Sequence, residues 1–84
     1  MALKQLSPLG EAINSFMEDE AVSWYRLSML SGVNEGTLSK MKYGKTSPTL
    51  YTLERVARAL NVATSDILLR YEAELFIKEN NYEH

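Results

Sequence analysis

Residues 23–44, SWYRLSMLSGVNEGTLSKMKYG, leave the chain few ways to fold, because apolar, polar and turn-forming residues follow one another at short fixed intervals. Ser23 is a favourable N-cap, since its hydroxyl oxygen can accept a hydrogen bond from the first free backbone N–H groups of a helix. Leu27 and Leu30 follow at helical spacing. A short helix is therefore predicted here, and it is predicted to end at Ser31.

A tight turn is predicted to join this helix to a second one. Gly32 supplies the left-handed backbone conformation that a residue with a Cβ resists. Val33 is expected in the core, and Asn34 is expected to cap a second helix, which carries Leu38 and Met41 inward. The outer side of that second helix is left free to touch a partner, and it carries Glu35, Gly36, Ser39, Lys40 and Tyr43.

Another helix is predicted before this stretch. Ser7 followed by Pro8 fits an N-cap with proline at the first helical position, where the missing N–H does no harm. Five apolar residues then recur as one helical stripe, which ends at about Glu18: Leu9, Ala12, Ile13, Phe16 and Met17. Residues 1–6 carry no pattern and are expected to form a loose lead-in.

A fourth helix is predicted after a loop at residues 45–48. Thr49 fits its N-cap, and Asn61 is a suitable left-handed stop. The expected buried stripe of this helix comprises Leu50, Leu53, Val56, Ala57 and Leu60.

The fifth helix is predicted to begin at Thr64 or Ser65 and to run through about Glu79, and it carries two apolar stripes. The stripe expected to pack on the rest of the domain comprises Ile67, Leu68, Tyr71 and Leu75. A second stripe, roughly opposite, comprises Leu69, Ala73 and Phe76. A helix that is apolar on two sides needs two partners. Two interpretations stay open: dimerisation through the second stripe, or folding of the helix end back onto its own domain.

Composition sets outer limits on the class of protein. A chain of 84 residues is expected to form one domain, and its core is modest enough for a dimer interface to matter to stability. The absence of cysteine excludes disulfides and thiolate metal sites. No apolar run approaches the roughly 18 residues needed to span a bilayer, and residues 1–10 lack a signal pattern. A cytoplasmic protein that does not engage a membrane is predicted.

Catalysis finds little support in the sequence. The single histidine, His84, is expected in a frayed terminus, so no histidine-based triad or metal cluster can form inside the domain. The glycines at 32, 36 and 44 do not form a phosphate loop, and no nucleophile elbow surrounds any serine. We therefore expect a protein that is not an enzyme and has no cofactor, metal or small-molecule ligand.

Charge is distributed unevenly along the chain. The formal net charge is -2, but residues 23–70 carry +4, while residues 1–22 and 71–84 carry -3 each. A basic middle between acidic ends is typical of a small DNA-binding domain whose ends face away from the phosphates. The alternative is that these are ordinary solvated charges.

The motifs of the central stretch resemble the helix-turn-helix of Cro and phage-repressor proteins, the XRE family. They are Leu27-Ser28, Gly32-Val33-Asn34, Thr37-Leu38-Ser39, Lys40-Met41 and Gly44-Lys45. The similarity extends through Pro48, Leu53, Val56-Ala57, Ala59-Leu60-Asn61-Val62 and Ile67-Leu68, with Asn61 where the family usually has glycine. The resemblance covers residues 9–69. It implies an all-α, compact five-helix lambda-repressor-like DNA-binding domain over residues 1–84, with an extended C-terminal helix.

By the same resemblance, the second helix of the motif enters the major groove and reads bases. The positions implied to contact bases are Glu35, Gly36, Ser39 and Lys40. Lysine can donate to guanine and a carboxylate can accept from cytosine, so Lys40 and Glu35 favour a half-site that contains G·C pairs. Gly36 departs from the polar residue that the family commonly has there. An alternative for Glu35 is that it only complements the helix dipole.

The resemblance also implies contacts to the DNA backbone. The positions implied to contact phosphates are Trp24, Asn34, Thr37, Tyr43, Lys45 and Thr46. Trp24 stands where the family often has glutamine, and packing of its indole on neighbouring residues is the competing interpretation. Lys42, Arg26 and Arg55 are interpreted as surface charges.

Together these patterns predict a transcriptional regulator, a repressor, that binds double-stranded DNA as a homodimer at a two-fold operator. The competing hypothesis is a protein-interaction module, such as an antitoxin-like or anti-regulator protein, that keeps the fold but binds DNA weakly or not at all. The acidic ends, Gly36 and Glu35 favour that alternative, whereas the basic middle, Lys40 and the donors at the phosphate positions favour DNA.

Overall fold

The computed structural model describes residues 5–80, and within this range the chain forms five α-helices and no strand. The helices are α1 (Pro8–Glu20), α2 (Trp24–Ser31), α3 (Glu35–Lys42), α4 (Leu50–Ala59) and α5 (Thr64–Asn80). The predicted five-helix, all-α fold with a long C-terminal helix is confirmed, although α1 continues two residues past Glu18. Residues 1–4 of the predicted lead-in, and His84, lie outside the described residues.

All four predicted N-caps form the expected hydrogen bond. In each case the side-chain oxygen accepts from the backbone N–H three residues later, which satisfies a donor that the helix itself cannot pair. The donor-to-acceptor distances are 3.0 Å at Ser7, 3.0 Å at Ser23, 2.8 Å at Asn34 and 3.2 Å at Thr49. The starts of α1 to α4 therefore follow from short polar residues placed just before apolar periodicity.

Both of the predicted left-handed helix stops, after α2 and after α4, are present. Gly32 ends α2 with φ 76°, and Asn61 follows α4 with φ 59°. Ala21 also adopts a positive φ, 55°, directly after α1. The sequence did not indicate this stop, because position 21 holds neither glycine nor asparagine. The Ala21 N–H donates to the Glu18 carbonyl at 3.2 Å, so this stop satisfies a carbonyl at the end of the helix.

Side chains from all five helices meet in one hydrophobic core. The fully buried large side chains are Ile13, Met17, Leu27, Leu38, Met41, Val56, Leu60 and Ile67. Val33, in the turn after Gly32, is also buried, as predicted. Of the α1 stripe, Leu9 and Phe16 are partly buried and pack against this core. The core thus fixes α3 through its inner side.

Two of the predicted apolar stripes are buried only in part. The prediction that Leu50 is buried is wrong: this first residue of α4 is 62% exposed, since no other helix of residues 5–80 covers that end of the stripe. Only Ile67 of the first α5 stripe is fully buried, while Leu68 is 40% exposed. Tyr71 and Leu75 are half-buried. A periodic pattern gives the direction of a side chain, and coverage depends on which helices reach it.

The second stripe of α5 is exposed along its length. Leu69 and Phe76 are 65% and 66% exposed, and Ala73 between them is exposed as well. The helix remains continuous to Asn80, so within residues 5–80 its end does not fold back over this stripe.

Candidate nucleic-acid interface

The recognition candidate, α3, is held by its inner side and exposed on its outer side. Leu38 and Met41 are buried in the core. The residues implied to contact bases lie opposite: Glu35, Gly36 and Lys40 are exposed and Ser39 is half-buried. The structure therefore brings these four positions together on one accessible surface of a short, anchored helix.

The start of α3 is organised by Asn34. Its side-chain oxygen Oδ1 accepts from the Thr37 N–H at 2.8 Å, so any donation by Asn34 to a phosphate comes from its amide nitrogen. A Cβ placed on Gly36 would lie 3.3 Å from this same Oδ1. Glycine at 36 thus leaves room around the cap and an open backbone at the end of the helix from which base edges are reached.

The end of α3 is fastened to the start of α1. The Ser7 backbone N–H donates to the Lys42 carbonyl at 2.8 Å, and the Ser7 hydroxyl donates to the Met41 carbonyl at 3.3 Å. A Cβ on Gly10 would overlap the Lys42 carbonyl oxygen, so only glycine permits this approach of the two helices. Sequence reasoning found Ser7 as a cap but missed its second role. An isolated glycine in the first turn of an apolar helix was the available signal.

The loop after α3 carries three of the predicted phosphate contacts. Gly44 adopts φ 74°, and the Lys45 N–H donates to the Lys40 carbonyl at 2.8 Å, which closes the helix end. Lys45 and Thr46 are exposed directly beyond this closure, and Tyr43 is half-buried. Asn34 and Thr37 lie at the other end of α3, so five of the six predicted phosphate positions bracket this helix.

The sixth, Trp24, is the first residue of α2 and is half-buried against the core, as the packing interpretation predicted. The Lys42 Nζ lies over its ring, 4.8 Å from the centroid, and also 5.3 Å from the centroid of the Tyr43 ring. The interpretation of Lys42 as a plain surface charge is therefore wrong, because two aromatic rings hold its ammonium group between α2 and α3. Arg26, by contrast, is exposed.

The interpretation of Arg55 as a surface charge is also wrong. Its Nε donates to the carbonyl of Ser31 at 2.9 Å, and its Nη1 donates to the Tyr51 hydroxyl at 2.7 Å. Ser31 is the last residue of α2, so the guanidinium from α4 closes the end of the first motif helix. This bond joins residues 24 positions apart, and no local pattern in the sequence indicates it. Arg55 therefore fixes the turn that leads into α3.

Two further observations concern the described residues alone. No helix within residues 5–80 combines the length and apolar character that crossing a membrane requires. In the same range, no three histidine, cysteine, aspartate or glutamate side chains converge in a way that could hold a metal ion.

Comparison with known proteins agrees with this geometry. A family model, the Cro/C1-type HTH DNA-binding domain, matches residues 12–73. No curated protein sequence gives a significant match. Among solved structures, the clp gene regulator ClgR from Corynebacterium glutamicum superposes with a TM-score of 0.83 at 26% identity, covering 90% of this chain and 81% of that one.

Two further structures are similar. A second ClgR structure from C. glutamicum gives a TM-score of 0.71 at 29% identity, covering 87% of this chain and 94% of that one. The restriction-modification controller protein C.AhdI from Aeromonas hydrophila gives 0.67 at 18% identity, covering 71% of this chain and 91% of that one. The latter likeness concerns the fold alone.

Proposed function

Because this chain belongs to the Cro/C1-type helix-turn-helix family and is a DNA-binding transcriptional regulator, we propose that it acts as a repressor. It binds a two-fold operator as a homodimer, with α3 in the major groove. The observation that carries the proposal is the division of α3 into an inner side buried in the core and an outer side with three exposed base-contact candidates. A helix presented in this way fits the width of the major groove of B-DNA.

Base recognition rests on the two charged residues of the outer side. Lys40 donates to the O6 and N7 acceptors of guanine, and Glu35 accepts from the amino group of cytosine, so the half-site contains G·C pairs. Ser39 contributes a hydroxyl at the edge of the contact. Gly36 has no side chain with which to read a base, and it lets the helix backbone approach the groove closely.

Contacts to phosphates fix the register of the domain on the duplex. The residues proposed for this role are Trp24, Asn34, Thr37, Tyr43, Lys45 and Thr46. Their support is positional, since they lie at both ends of α3 and at the start of α2, and each has a side-chain donor suited to a phosphate oxygen.

Dimerisation uses the exposed stripe of α5, formed by Leu69, Ala73 and Phe76. Apolar residues in a row on an exposed helix face gain stability when a second copy covers them. A two-fold dimer sets its recognition helices about 34 Å apart, one turn of the duplex, and thereby selects a two-fold site.

Repression follows from occupancy alone, because a dimer bound across a promoter excludes other proteins from it. The similarity of this chain to ClgR, a regulator of clp genes, supports a role of this chain in transcription control. A reporter gene placed behind the selected operator tests this part directly. Expression should fall when the chain is produced, and a rise in expression would contradict repression.

The primary test is selection of bound duplexes from a random DNA library, followed by titration of the selected and a scrambled duplex at two salt concentrations. We expect a two-fold site, with log affinity falling by about 0.9 per phosphate contact for each tenfold rise in salt. The matched control replaces Glu35 and Lys40 with alanine. It should stay folded, because both side chains are exposed, and it should lose the enriched site. Failure to enrich any site, with binding insensitive to salt, would contradict the proposal and favour a protein partner.

A further inference from the structure

The ammonium group of Lys42 lies over two aromatic rings. Lys42 is the last residue of α3 and half-buried, and its ammonium group lies 4.8 Å and 5.3 Å from the ring centroids of Trp24 and Tyr43. Both distances fall within the range of about 6 Å in which an aromatic face attracts a cation. A long side chain that solvent would leave mobile is thus held at the junction between the two helices of the motif.

Within residues 5–80, no carboxylate forms an ion pair with this ammonium group. The ion pair found in this range joins Arg70 and Glu74 on α5. Aromatic rings attract a cation without cancelling its charge, so the ammonium group remains able to bind an anion. Trp24 is also the first residue of α2, and this end of a helix carries positive partial charge. The surroundings of Lys42 therefore suit a negatively charged group from outside the chain.

We propose that Lys42 binds a phosphate of the DNA backbone, with Trp24 and Tyr43 holding its ammonium group in place for that contact. This inference rests on the proposed insertion of α3 into the major groove. A backbone phosphate is the partner, and a base is not, because residues near the start of a recognition helix reach base edges and Lys42 is at the end. Holding the side chain before binding removes part of the ordering cost of a flexible lysine.

The test compares Lys42→Met with the natural chain on the selected duplex and on a scrambled duplex of equal length. Methionine keeps an unbranched apolar stem over the rings and removes the charge. The magnitude of the salt slope should fall by about 0.9 for each protomer bound, so the affinity deficit shrinks about 3.5-fold per protomer from about 50 to about 200 mM salt. The loss should be equal on both duplexes, because a phosphate contact carries no sequence information.

Lys78→Met is the matched control, since it removes the same charge from an exposed lysine on α5. Its salt slope should stay near that of the natural chain. Lys42→Arg should restore most of the slope, because arginine keeps the charge and also stacks on aromatic rings. Thermal unfolding of each variant, followed by circular dichroism, separates a loss of contact from a loss of fold.

Trp24 provides an independent readout, since it is the single tryptophan of the chain. Its fluorescence should change when DNA binds the natural chain, and the change should be smaller with Lys42→Met. A Lys42→Met variant that is less stable but keeps the full salt slope would overturn the inference and leave a purely structural role for Lys42. The proposed function would survive that result. Salt-insensitive binding by the natural chain on both duplexes would overturn both.

Discussion

Replacing Arg55 with methionine removes a guanidinium group while keeping most of the apolar stem. The lost bond from Nε to the Ser31 carbonyl, at 2.9 Å, is a charged hydrogen bond to a residue that is only 6% exposed. Such bonds contribute about 1.5–3 kcal/mol, and the partial exposure of Arg55 reduces this to about 1–2 kcal/mol. The second bond goes to Tyr51, which is 64% exposed, and it adds only about 0.5 kcal/mol because water competes for the hydroxyl.

The expected result is a free energy of unfolding lowered by about 2 kcal/mol, or a Tm lowered by about 8–16 °C for a domain of this size. Urea denaturation followed by circular dichroism measures the first quantity, and a thermal scan measures the second. Arg58→Met is the matched control, since Arg58 is exposed on the same helix and its loss should cost less than about 0.5 kcal/mol. Equal effects of the two substitutions would refute the argument that Arg55 closes α2.

A double substitution sharpens this test. Gly32→Ala forces alanine into φ 76°, at a cost of about 1–2 kcal/mol, and its Cβ would overlap a terminal nitrogen of Arg55. The overlap disappears when Arg55 is already methionine. The double variant should therefore lose about 1 kcal/mol less free energy of unfolding than the sum of the losses in the two single variants. Strict additivity would show that the guanidinium does not occupy this place in solution.

Three further substitutions test the contacts of α3 and α5. Gly10→Ala should lower the free energy of unfolding by about 2–3 kcal/mol in urea denaturation, because the added Cβ meets a backbone carbonyl that cannot rotate away. Gly36→Ala is its control; it should be near neutral, because the higher helix propensity of alanine offsets the tight 3.3 Å contact of the new Cβ with Asn34 Oδ1. Similar costs at both glycines would contradict the close approach of α1 to α3. Lys40→Ala should weaken binding to the selected duplex by about 1–3 kcal/mol and reduce the difference in binding free energy between the selected and the scrambled duplex. An unchanged difference would remove Lys40 from the residues proposed to read bases. Phe76→Asp should give monomers of unchanged helical content in sedimentation and circular dichroism, whereas Asn80→Asp should not; an intact dimer with Phe76→Asp would contradict the α5 interface.

The local parts of the fold could be predicted from the sequence. Caps such as Asn34 and stops such as Gly32 act within three or four residues, so the pattern that specifies them is contiguous. The division of α3 into inner and outer sides follows from helical periodicity in the same way. These short-range signals sufficed to predict five helices, four of their caps and the exposed side on which the base-contact candidates lie.

The contacts that fix α3 in space could not be predicted, because they join distant residues. Arg55 and Ser31 are 24 positions apart, and Ser7 and Met41 are 34 apart, so whether they meet depends on how the helices pack. Leu50 is an example in which the sequence predicts a contact that the packing of the helices does not provide. Its spacing fits the buried stripe of α4, yet it is 62% exposed, so no helix within residues 5–80 covers it.

The recognition candidate α3 has only eight residues, too few to form a stable helix alone in water. Its order comes from Leu38 and Met41 on the inner side and from the contacts of Ser7 and Asn34 at its ends. None of these residues lies on its outer side, where substitutions usually change stability by less than about 0.5 kcal/mol. Mutation can therefore exchange the outer side chains while the scaffold persists. A lineage built on this fold can change the surface proposed to read DNA in a few substitutions without first losing a folded protein.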